Sequence, residues 1–164
     1  MKRAVIAGSF DPFTLGHKEL YDRAKQLFDE VIIAVAEVTD KTTLSIEKRM
    51  EIIKATVADA QIKSFNGLLT DFLKAEKVDV LVRGIRNTVD FEYEKNLDSV
   101  YKSFSDVEIV YLIPSVEKFN FSSTIVRSLL KAGGDISRFV DTKAEKLIRN
   151  YYAGGFGIEN KPIN

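Results

Sequence analysis

The sequence predicts an α/β fold in which one open parallel sheet carries helices on both faces, the doubly wound arrangement. Short runs of β-branched and apolar residues alternate with amphipathic stretches along the chain. These runs are apolar nearly throughout, as expected of strands covered on both faces. The chain has 164 residues, close to the roughly 150 of one domain. We therefore expect a single domain.

Five strands are predicted. They lie at residues 3–8, 31–38, 61–65, 78–82 and 107–113. Parallel strands need crossover connections, which are usually helical and right-handed. The alternation of strand and helix therefore predicts right-handed crossovers and an open sheet with helices on both faces.

Apolar residues at helical spacing predict the helices between these strands. In chain order the sets are Leu20, Ala24, Leu27 and Phe28; Ile46, Met50, Ile53 and Val57; Leu69, Phe72 and Leu73; and Val89, Tyr93, Leu97, Val100 and Phe104. Ser45 is the predicted N-cap of the second helix. Two further helices follow the last strand, at residues 125–130 and 144–152.

Composition excludes several classes of function. Lys plus Arg and Asp plus Glu both total 24, so the chain lacks the cationic excess of a broad nucleic-acid or membrane surface. There is no cysteine and only one histidine, which excludes disulfides, thiolate sites and a multi-histidine zinc site. The longest strongly apolar run, 31–36, is far shorter than the ~20 residues of a membrane helix. These features predict a cytoplasmic protein that binds neither nucleic acid nor membrane.

The end of the chain differs from the rest. After Tyr152 the sequence AGGFGIENKPIN has no periodicity. We expect a domain over residues 1–155 and a tail over 156–164, which is frayed or packs on a neighbouring subunit.

Polar and cationic residues follow three of the predicted strands. The first strand leads into GSFDPFTLGH (8–17), the fourth into RGIR (83–86), and the fifth to Pro114 and then SST (122–124). Ligands bind beyond the carboxyl ends of the strands in an open parallel sheet. We therefore expect these segments to form one site.

His17 falls in the first turn of a predicted helix. Backbone N–H groups and the helix dipole favour an anion there, and a histidine donor adds to them. Gly16 lacks the Cβ that would block the approach of a phosphate. The alternative is an exposed histidine beside ordinary capping residues. The preceding GSFDP, with the hydroxyl of Ser9 at the strand exit, favours the anion site.

Arg83 and Arg86 can place two guanidinium groups on one polyanion. Asp90 and Glu94 follow on one helical face and could accept from a ribose hydroxyl or hold an arginine. The alternative is a solvated helix start held by salt bridges. For Lys41, in the loop after the second strand, the alternative is a solvent-exposed lysine; for the SST segment it is a simple N-cap.

Together these segments resemble the nucleotidyltransferases with a T/H-x-G-H motif, and within them the bacterial phosphopantetheine adenylyltransferases. The matching pieces are GSFDPFTLGH, Lys41, VRGIR (82–86), DFEYE (90–94) and SSTIVR (122–127), in the family's order and spacing. The T-x-G-H element is shared by the whole superfamily, whereas RGIR followed by DFEYE is more specific. The resemblance covers residues 1 to about 155 and implies a Rossmann-like nucleotidyltransferase fold.

The resemblance also implies a reaction. ATP and 4′-phosphopantetheine would give dephospho-CoA and pyrophosphate with Mg²⁺, in an enzyme that assembles as a homohexamer. A phosphate nucleophile is already largely dianionic near neutral pH, since its second pKa is about 6. In-line attack therefore needs alignment and charge stabilisation rather than a general base. The sequence nominates no magnesium ligands, so phosphates and water would hold the metal.

Site residues carry over by position. His17, Lys41 and Arg86 would be catalytic, and Ser9, Lys41, Leu69 and Arg83 would bind phosphopantetheine. ATP would contact Ser9, Phe10, His17, Gly84, Ile85, Arg86, Glu94, Lys118, Phe119, Asn120, Phe121, Ser122, Ser123 and Thr124. This chain departs from the family pattern at Ser9, Leu15 and the loop 118–121, where Thr, Asn and a different loop sequence are common.

Two rival functions remain open at this point. One is a transferase of the same superfamily that uses nicotinamide mononucleotide or makes a CDP-alcohol, against which RGIR and DFEYE argue. The other is a catalytically silent nucleotide sensor, which would not require His17, Lys41, Arg83 and Arg86 together.

Overall fold

A computed structural model of the chain describes residues 1–37 and 42–154. The strands are β1 (Arg3–Gly8), β2 (Glu30–Ala36), β3 (Gln61–Phe65), β4 (Val80–Gly84) and β5 (Glu108–Leu112). The helices are α1 (Leu15–Leu27), α2 (Ile46–Thr56), α3 (Leu69–Ala75), α4 (Thr88–Phe104), α5 (Ser123–Lys131) and α6 (Thr142–Ala153), with a short 3₁₀ turn at Val116–Lys118. The predicted tail, 156–164, lies outside the described residues.

The five strands form one sheet in the order β3-β2-β1-β4-β5, and every pair is parallel. Successive strand residues face opposite sides of the sheet. In β1, Ile6 packs in a core with α1, α2, α5 and α6, whereas Val5 packs in a second core with α3. The predicted doubly wound α/β fold is confirmed.

Strand positions agree with the apolar pattern to within two residues at each end, and β1 and β3 agree at both ends. The first helix starts earlier than its apolar stripe, because Thr14 caps it and α1 begins at Leu15. In α2 the buried side chains include Arg49 beside Ile52 and Ile53. Apolar spacing alone could not indicate a buried arginine.

The apolar stripe of α4 is largely exposed. Val89 and Tyr93 are 74% and 61% exposed, and Val100 and Phe104 are exposed as well. The buried residue of this helix is Glu94, which faces Arg83 of β4. The periodicity therefore located the helix correctly, but four of the five stripe residues are exposed among the residues that the structure describes.

No helix among the described residues is both long and apolar enough to cross a membrane.

Candidate active site

A cavity of about 410 Å³ opens at the carboxyl ends of the central strands. β1 and β4 are neighbours there, and the chain continues to β2 on one side and to β5 on the other. This is the point at which ligands bind in doubly wound sheets. The cavity lies between the ends of β1, β4 and β5, one face of α1 and the first turn of α5.

The backbone of Thr14 fixes the imidazole of His17. The Thr14 N–H donates to Nδ1 at 3.0 Å, and the His17 N–H donates to Thr14 Oγ1 at 3.4 Å, a reciprocal cap of α1. The hydroxyl of Thr14 donates to the carbonyl of Phe121 at 3.2 Å. Because Nδ1 accepts a backbone hydrogen bond, the neutral ring carries its proton on Nε2.

The surroundings of His17 keep its ring neutral. The rings of Phe10 and Phe13 lie 5.1 and 5.3 Å from the imidazole. Burial and the nearby charge of Arg86 lower the pKa of His17 to about 4. At neutral pH the side chain therefore acts as a hydrogen-bond donor through Nε2 and carries no charge.

Gly16 is required by a contact with the protein itself. A Cβ built on Gly16 would lie 2.6 Å from the carbonyl oxygen of Phe121, a distance that real Cβ atoms do not reach. The glycine therefore lets the first turn of α1 pack against the segment that leads into α5. The sequence predicts that Gly16 either admits a phosphate or is an ordinary capping residue, and the close packing of α1 is a further reason for a glycine here.

Arg83 is held by Glu94 at the end of β4. Its Nε donates to Glu94 Oε2 at 2.9 Å, Nη2 donates to Oε1, and Nη1 donates to the carbonyl of Ala7 at 3.0 Å. Burial opposes the charge of Arg83, but Glu94 outweighs it and raises the pKa of the guanidinium. Glu94 thus orients Arg83, which retains N–H groups that can face the cavity.

Arg86 is more exposed and has an acidic partner of its own. Its Nε donates to Asp90 Oδ2 at 3.0 Å, and its backbone N–H also donates to that oxygen. Asn87 caps α4 by accepting from the Asp90 N–H. The predicted salt-bridged helix start is therefore present, and Arg86 lines the cavity as well.

The hydroxyls before α5 act first as structural groups. Ser122 is the N-cap and accepts from the Ile125 N–H at 3.3 Å. The Ser123 hydroxyl donates to the carbonyl of Pro12 at 2.7 Å. They fix the start of α5 against the turn after β1, and both residues line the cavity.

Most of the predicted site residues that the structure describes line this one cavity. They are Ser9, Phe10, His17, Arg83, Gly84, Arg86, Lys118, Phe121, Ser122, Ser123 and Thr124. Ile85, Glu94, Phe119, Asn120 and Leu69 are not among the lining residues. Leu69 packs against the second core, and the Ile85 N–H bonds the carbonyl of Leu112. Lys41 lies outside the described residues.

Sequence reasoning missed Glu19 and Arg23 of α1, which line the cavity. The Ser115 N–H and hydroxyl donate to Glu19 at 2.8 and 2.9 Å, and Lys118 Nζ lies 3.7 Å away. Burial of Glu19 opposes its ionisation, but these donors and cations outweigh that effect and lower its pKa. Helical spacing from Gly16 could have found both residues, since 16, 19, 20 and 23 share one face.

The described residues do not fit a protein-held magnesium site. They contain no group of three histidine, cysteine or acidic side chains that could hold a metal ion. Glu19 is the one carboxylate that lines the cavity among them, and both its oxygens accept from Ser115. A cation in this cavity would depend on ligands that the substrate brings, such as phosphate oxygens and water.

The arrangement is suited to binding and stabilising anions. His17 offers a neutral donor, Arg83, Arg86 and Lys118 offer cations, and the N-terminus of α5 adds backbone N–H groups. His17 cannot activate a hydroxyl as a base through Nδ1, because Thr14 occupies that nitrogen. The site therefore favours transfer of a phosphoryl-type group over nucleophilic catalysis by the protein.

Similarity to known proteins agrees with this geometry. Residues 5–129 match the model of the cytidylyltransferase-like family. Among solved structures, a bifunctional NMN adenylyltransferase/ADP ribose pyrophosphatase from Francisella tularensis aligns with a TM-score of 0.72 at 18% identity, over 94% of this chain and 51% of that one. TmcAL from Thermotoga maritima aligns with a TM-score of 0.73 at 12% identity, over 96% and 57%. At these identities the likeness concerns the fold.

The curated relatives found by sequence have higher identity to this chain than these solved structures do. The phosphopantetheine adenylyltransferase of Nautilia profundicola is 39% identical over 88% of this chain and 97% of its own length. The proteins of that name from Azoarcus sp. and Staphylococcus carnosus are 43% and 40% identical, over 84% and 92% of this chain and 87% and 96% of their own. The chain therefore belongs to the cytidylyltransferase-like family and, within it, to the phosphopantetheine adenylyltransferases.

Proposed function

We propose that this protein transfers the adenylyl group of ATP to 4′-phosphopantetheine, giving dephospho-CoA and pyrophosphate. The observation that carries the proposal is one cavity at the switch point of the sheet, lined by His17, Arg83, Arg86 and Lys118. The names of relatives at 39–43% identity agree with it. Both substrates bring phosphate groups, which this set of donors and cations can bind.

The reaction proceeds by in-line attack. An oxygen of the phosphopantetheine phosphate forms a bond to the α-phosphorus of ATP, and the bond from that phosphorus to the pyrophosphate oxygen breaks. The acceptor phosphate is largely dianionic at neutral pH, since its second pKa is about 6, so no base is required. His17 Nε2 donates to an α-phosphate oxygen, where charge is redistributed in the transition state.

The remaining roles divide between the two substrates. Arg83, oriented by Glu94, and Ser9 bind the acceptor phosphate with Lys41. Arg86 and the segment 118–124 bind the phosphates and base of ATP, with Ser9 and Phe10 also in contact. Gly84 and Ile85 supply backbone beside the nucleotide. Contact between Leu69 and the pantetheine arm stays a prediction. The side chain of Leu69 packs against the second core and is not among the residues that line the cavity.

Magnesium enters this proposal as part of the substrate. The cavity has a single carboxylate among the described residues, so Mg²⁺ would arrive on the phosphates of ATP, where it neutralises charge. The cytoplasmic location also stays a prediction.

We further propose that the chain self-associates, since the family that it resembles implies a homohexamer. The support is the exposed stripe of α4, where four large apolar side chains face outward. Contiguous exposed apolar surface of this kind is typical of an interface.

A panel of acceptors tests the proposed function. Pyrophosphate release is measured with ATP or CTP and with phosphopantetheine, nicotinamide mononucleotide or an alcohol phosphate. We expect release with ATP and phosphopantetheine alone. Preference for another pair of nucleotide and acceptor would identify the protein as a different transferase of the superfamily. Binding of ATP without turnover would identify it as a nucleotide sensor.

His17→Ala tests the assigned role within that reaction. We expect kcat to fall by about 10²-fold or more, while ATP binding changes little. Arg138→Ala, which removes an exposed side chain outside the cavity, serves as the control and should retain full activity. Unchanged turnover in His17→Ala would contradict the role of the imidazole.

A further inference from the structure

A buried polar cluster lies under the turn that follows β1. Its members, which we call the turn cluster, are Asp11 in the turn, Arg49 in α2 and Tyr152 in α6, which are 0%, 1% and 3% exposed. None of them lines the cavity, and the reaction above uses none of them. Buried polar groups are costly unless they are hydrogen-bonded, so their partners indicate what they do.

Arg49 joins the ends of two strands. Its Nη1 donates to the carbonyls of Ser9 and Ala36, both at 2.8 Å. Nη2 donates to the carbonyl of Glu37 at 3.0 Å, and Nε donates to that of Leu44 at 3.1 Å. One rigid guanidinium therefore fixes the exit of β1, which carries Ser9, relative to the exit of β2.

Asp11 ties the same turn to the end of the chain. Its carboxylate accepts from the backbone N–H groups of Thr43 at 2.5 Å and Leu44 at 3.2 Å, and from the Tyr152 hydroxyl at 2.7 Å. Its backbone carbonyl accepts from Arg127 at 2.5 Å. Burial and the adjacent carboxylate raise the pKa of Tyr152, so the hydroxyl keeps its proton and remains the donor.

Phe10 lies between these two anchored residues and has an unusual backbone. Its φ is +49°, in the left-handed region that bulky residues rarely adopt. Such a conformation persists where the surroundings impose it. Here the carbonyl of Ser9, and both the carboxylate and the backbone carbonyl of Asp11, accept hydrogen bonds from residues of other segments. The result is a buried Phe10 whose ring meets that of His17 at 5.1 Å, edge to face.

We propose that Asp11, Arg49 and Tyr152 are positioning residues, which hold Ser9 and Phe10 in the orientation that the reaction requires without touching either substrate. The inference rests on the proposed function for its kinetic consequence. In-line attack depends on alignment, and a small displacement of a contacting group lowers kcat more than it weakens binding. Through Tyr152, helix α6 thus contributes to a site that it does not line.

The variant Tyr152→Phe tests the proposal with little disturbance. It removes the hydroxyl that donates to Asp11 and leaves the ring and two backbone donors in place. The matched control is Tyr151→Phe, which removes the neighbouring hydroxyl on α6 that bonds Glu51 at the surface. We expect Tyr152→Phe to lower kcat about five-fold or more, with the KM of both substrates within about two-fold, and Tyr151→Phe to match the wild type.

A double variant separates positioning from general destabilisation. If Tyr152 acts through the turn, its effect on kcat should shrink by about half or more when Ser9 is already replaced by alanine, because coupled residues are non-additive. Equal losses from Tyr152→Phe in both backgrounds, or a wild-type kcat for Tyr152→Phe, would overturn the proposal.

A spectroscopic readout does not depend on activity. His17 is the one histidine of the chain, so its ring protons give isolated NMR signals, and the ring current of Phe10 shifts them. We expect these signals to move in Tyr152→Phe and to stay in place in Tyr151→Phe. Unmoved signals in Tyr152→Phe would overturn the positioning role. Absence of pyrophosphate release from the wild type would instead count against the proposed function, and the NMR comparison would still test the turn cluster.

Discussion

At the scale of single residues, the tautomer of His17 decides what the site can do. Its Nδ1 accepts from the backbone N–H of Thr14, a donor that every residue except proline would supply at position 14. Protonation would place a second hydrogen between the two nitrogens and break it. The fixed donor at Nε2 is available without reorganisation when charge develops on a phosphate oxygen.

The first prediction concerns the titration of this imidazole. We expect NMR titration to give a pKa of about 4 for His17, with the Nε2–H tautomer at neutral pH. In denaturant the same ring should titrate near its ordinary value of about 6.5. The unfolded chain then binds the proton between these two values and the folded chain does not, so stability must fall as the pH drops from 6.5 towards 4.

A measured pKa near 6.5 in the folded protein, or nitrogen shifts typical of the Nδ1–H tautomer, would contradict this assignment. His17→Gln, which keeps a donor but cannot titrate in this range, should lose that component of the pH dependence of stability. Unfolding in denaturant at several pH values measures the difference.

Single residues also show where sequence reasoning stops. Thr14, Gly16 and His17 could be found because their spacing follows from one helix start. Asp11 and Tyr152 are 141 positions apart, and Arg49 binds carbonyl oxygens, which every residue possesses. No side-chain pattern in the sequence marks such partners, so the turn cluster was visible only in three dimensions.

At the scale of elements, the site depends on the close approach of α1 to the segment before α5. Thr14 donates to the carbonyl of Phe121, and a Cβ on Gly16 would meet the same oxygen at 2.6 Å. A Cβ on Gly84, at the end of β4, would meet Leu20 Cδ2 at 3.5 Å, an ordinary contact. Alanine at position 16 would therefore clash with the backbone of Phe121, whereas alanine at position 84 would only touch the side chain of Leu20.

The second prediction compares these two glycines. Gly16→Ala should push the 118–124 segment away from α1 and raise the KM for ATP about ten-fold, although alanine favours a helix by up to about 1 kcal/mol. The free energy of unfolding of Gly84→Ala should lie within about 0.5 kcal/mol of the wild-type value. Any rise in its KM for ATP would therefore report how closely the nucleotide approaches β4.

Thermal unfolding and steady-state kinetics on both variants make this comparison. A wild-type KM for ATP in Gly16→Ala would show that α1 and the 118–124 segment can move apart without weakening ATP binding. A large loss of stability in Gly84→Ala would show instead that its Cβ meets more than Leu20.

Element positions were largely predictable, because buried strands and amphipathic helices leave strong apolar patterns. The orientation of α4 was not. Its apolar stripe has the spacing of a core-facing helix, yet the helix turns Glu94 towards Arg83 and exposes the stripe. A pattern of apolar residues indicates that a face is covered, and it does not indicate whether the cover comes from the same chain.

At the scale of the whole molecule, the parallel sheet brings together segments that are distant in sequence. The order β3-β2-β1-β4-β5 sets the exits of β1 and β4 side by side, so residues near positions 10 and 84 share a cavity. Strand–helix alternation predicted a sheet of this class and the edge at which the site lies. It did not determine the strand order, which depends on how the crossovers pack.

The exposed stripe of α4 leads to the last prediction, that the protein self-associates through this helix. Val100→Glu places a charge within the stripe and should shift the particle mass in sedimentation towards that of one chain, 18.5 kDa. Ser99→Glu adds the same charge one position away, about 100° around the helix, and should leave the assembly intact. Burial of a carboxylate in an apolar interface is costly, whereas a charge at its margin is not. A wild type that sediments as a single chain at micromolar concentration would refute the prediction, and equal dissociation by both variants would mean that the interface extends beyond the stripe.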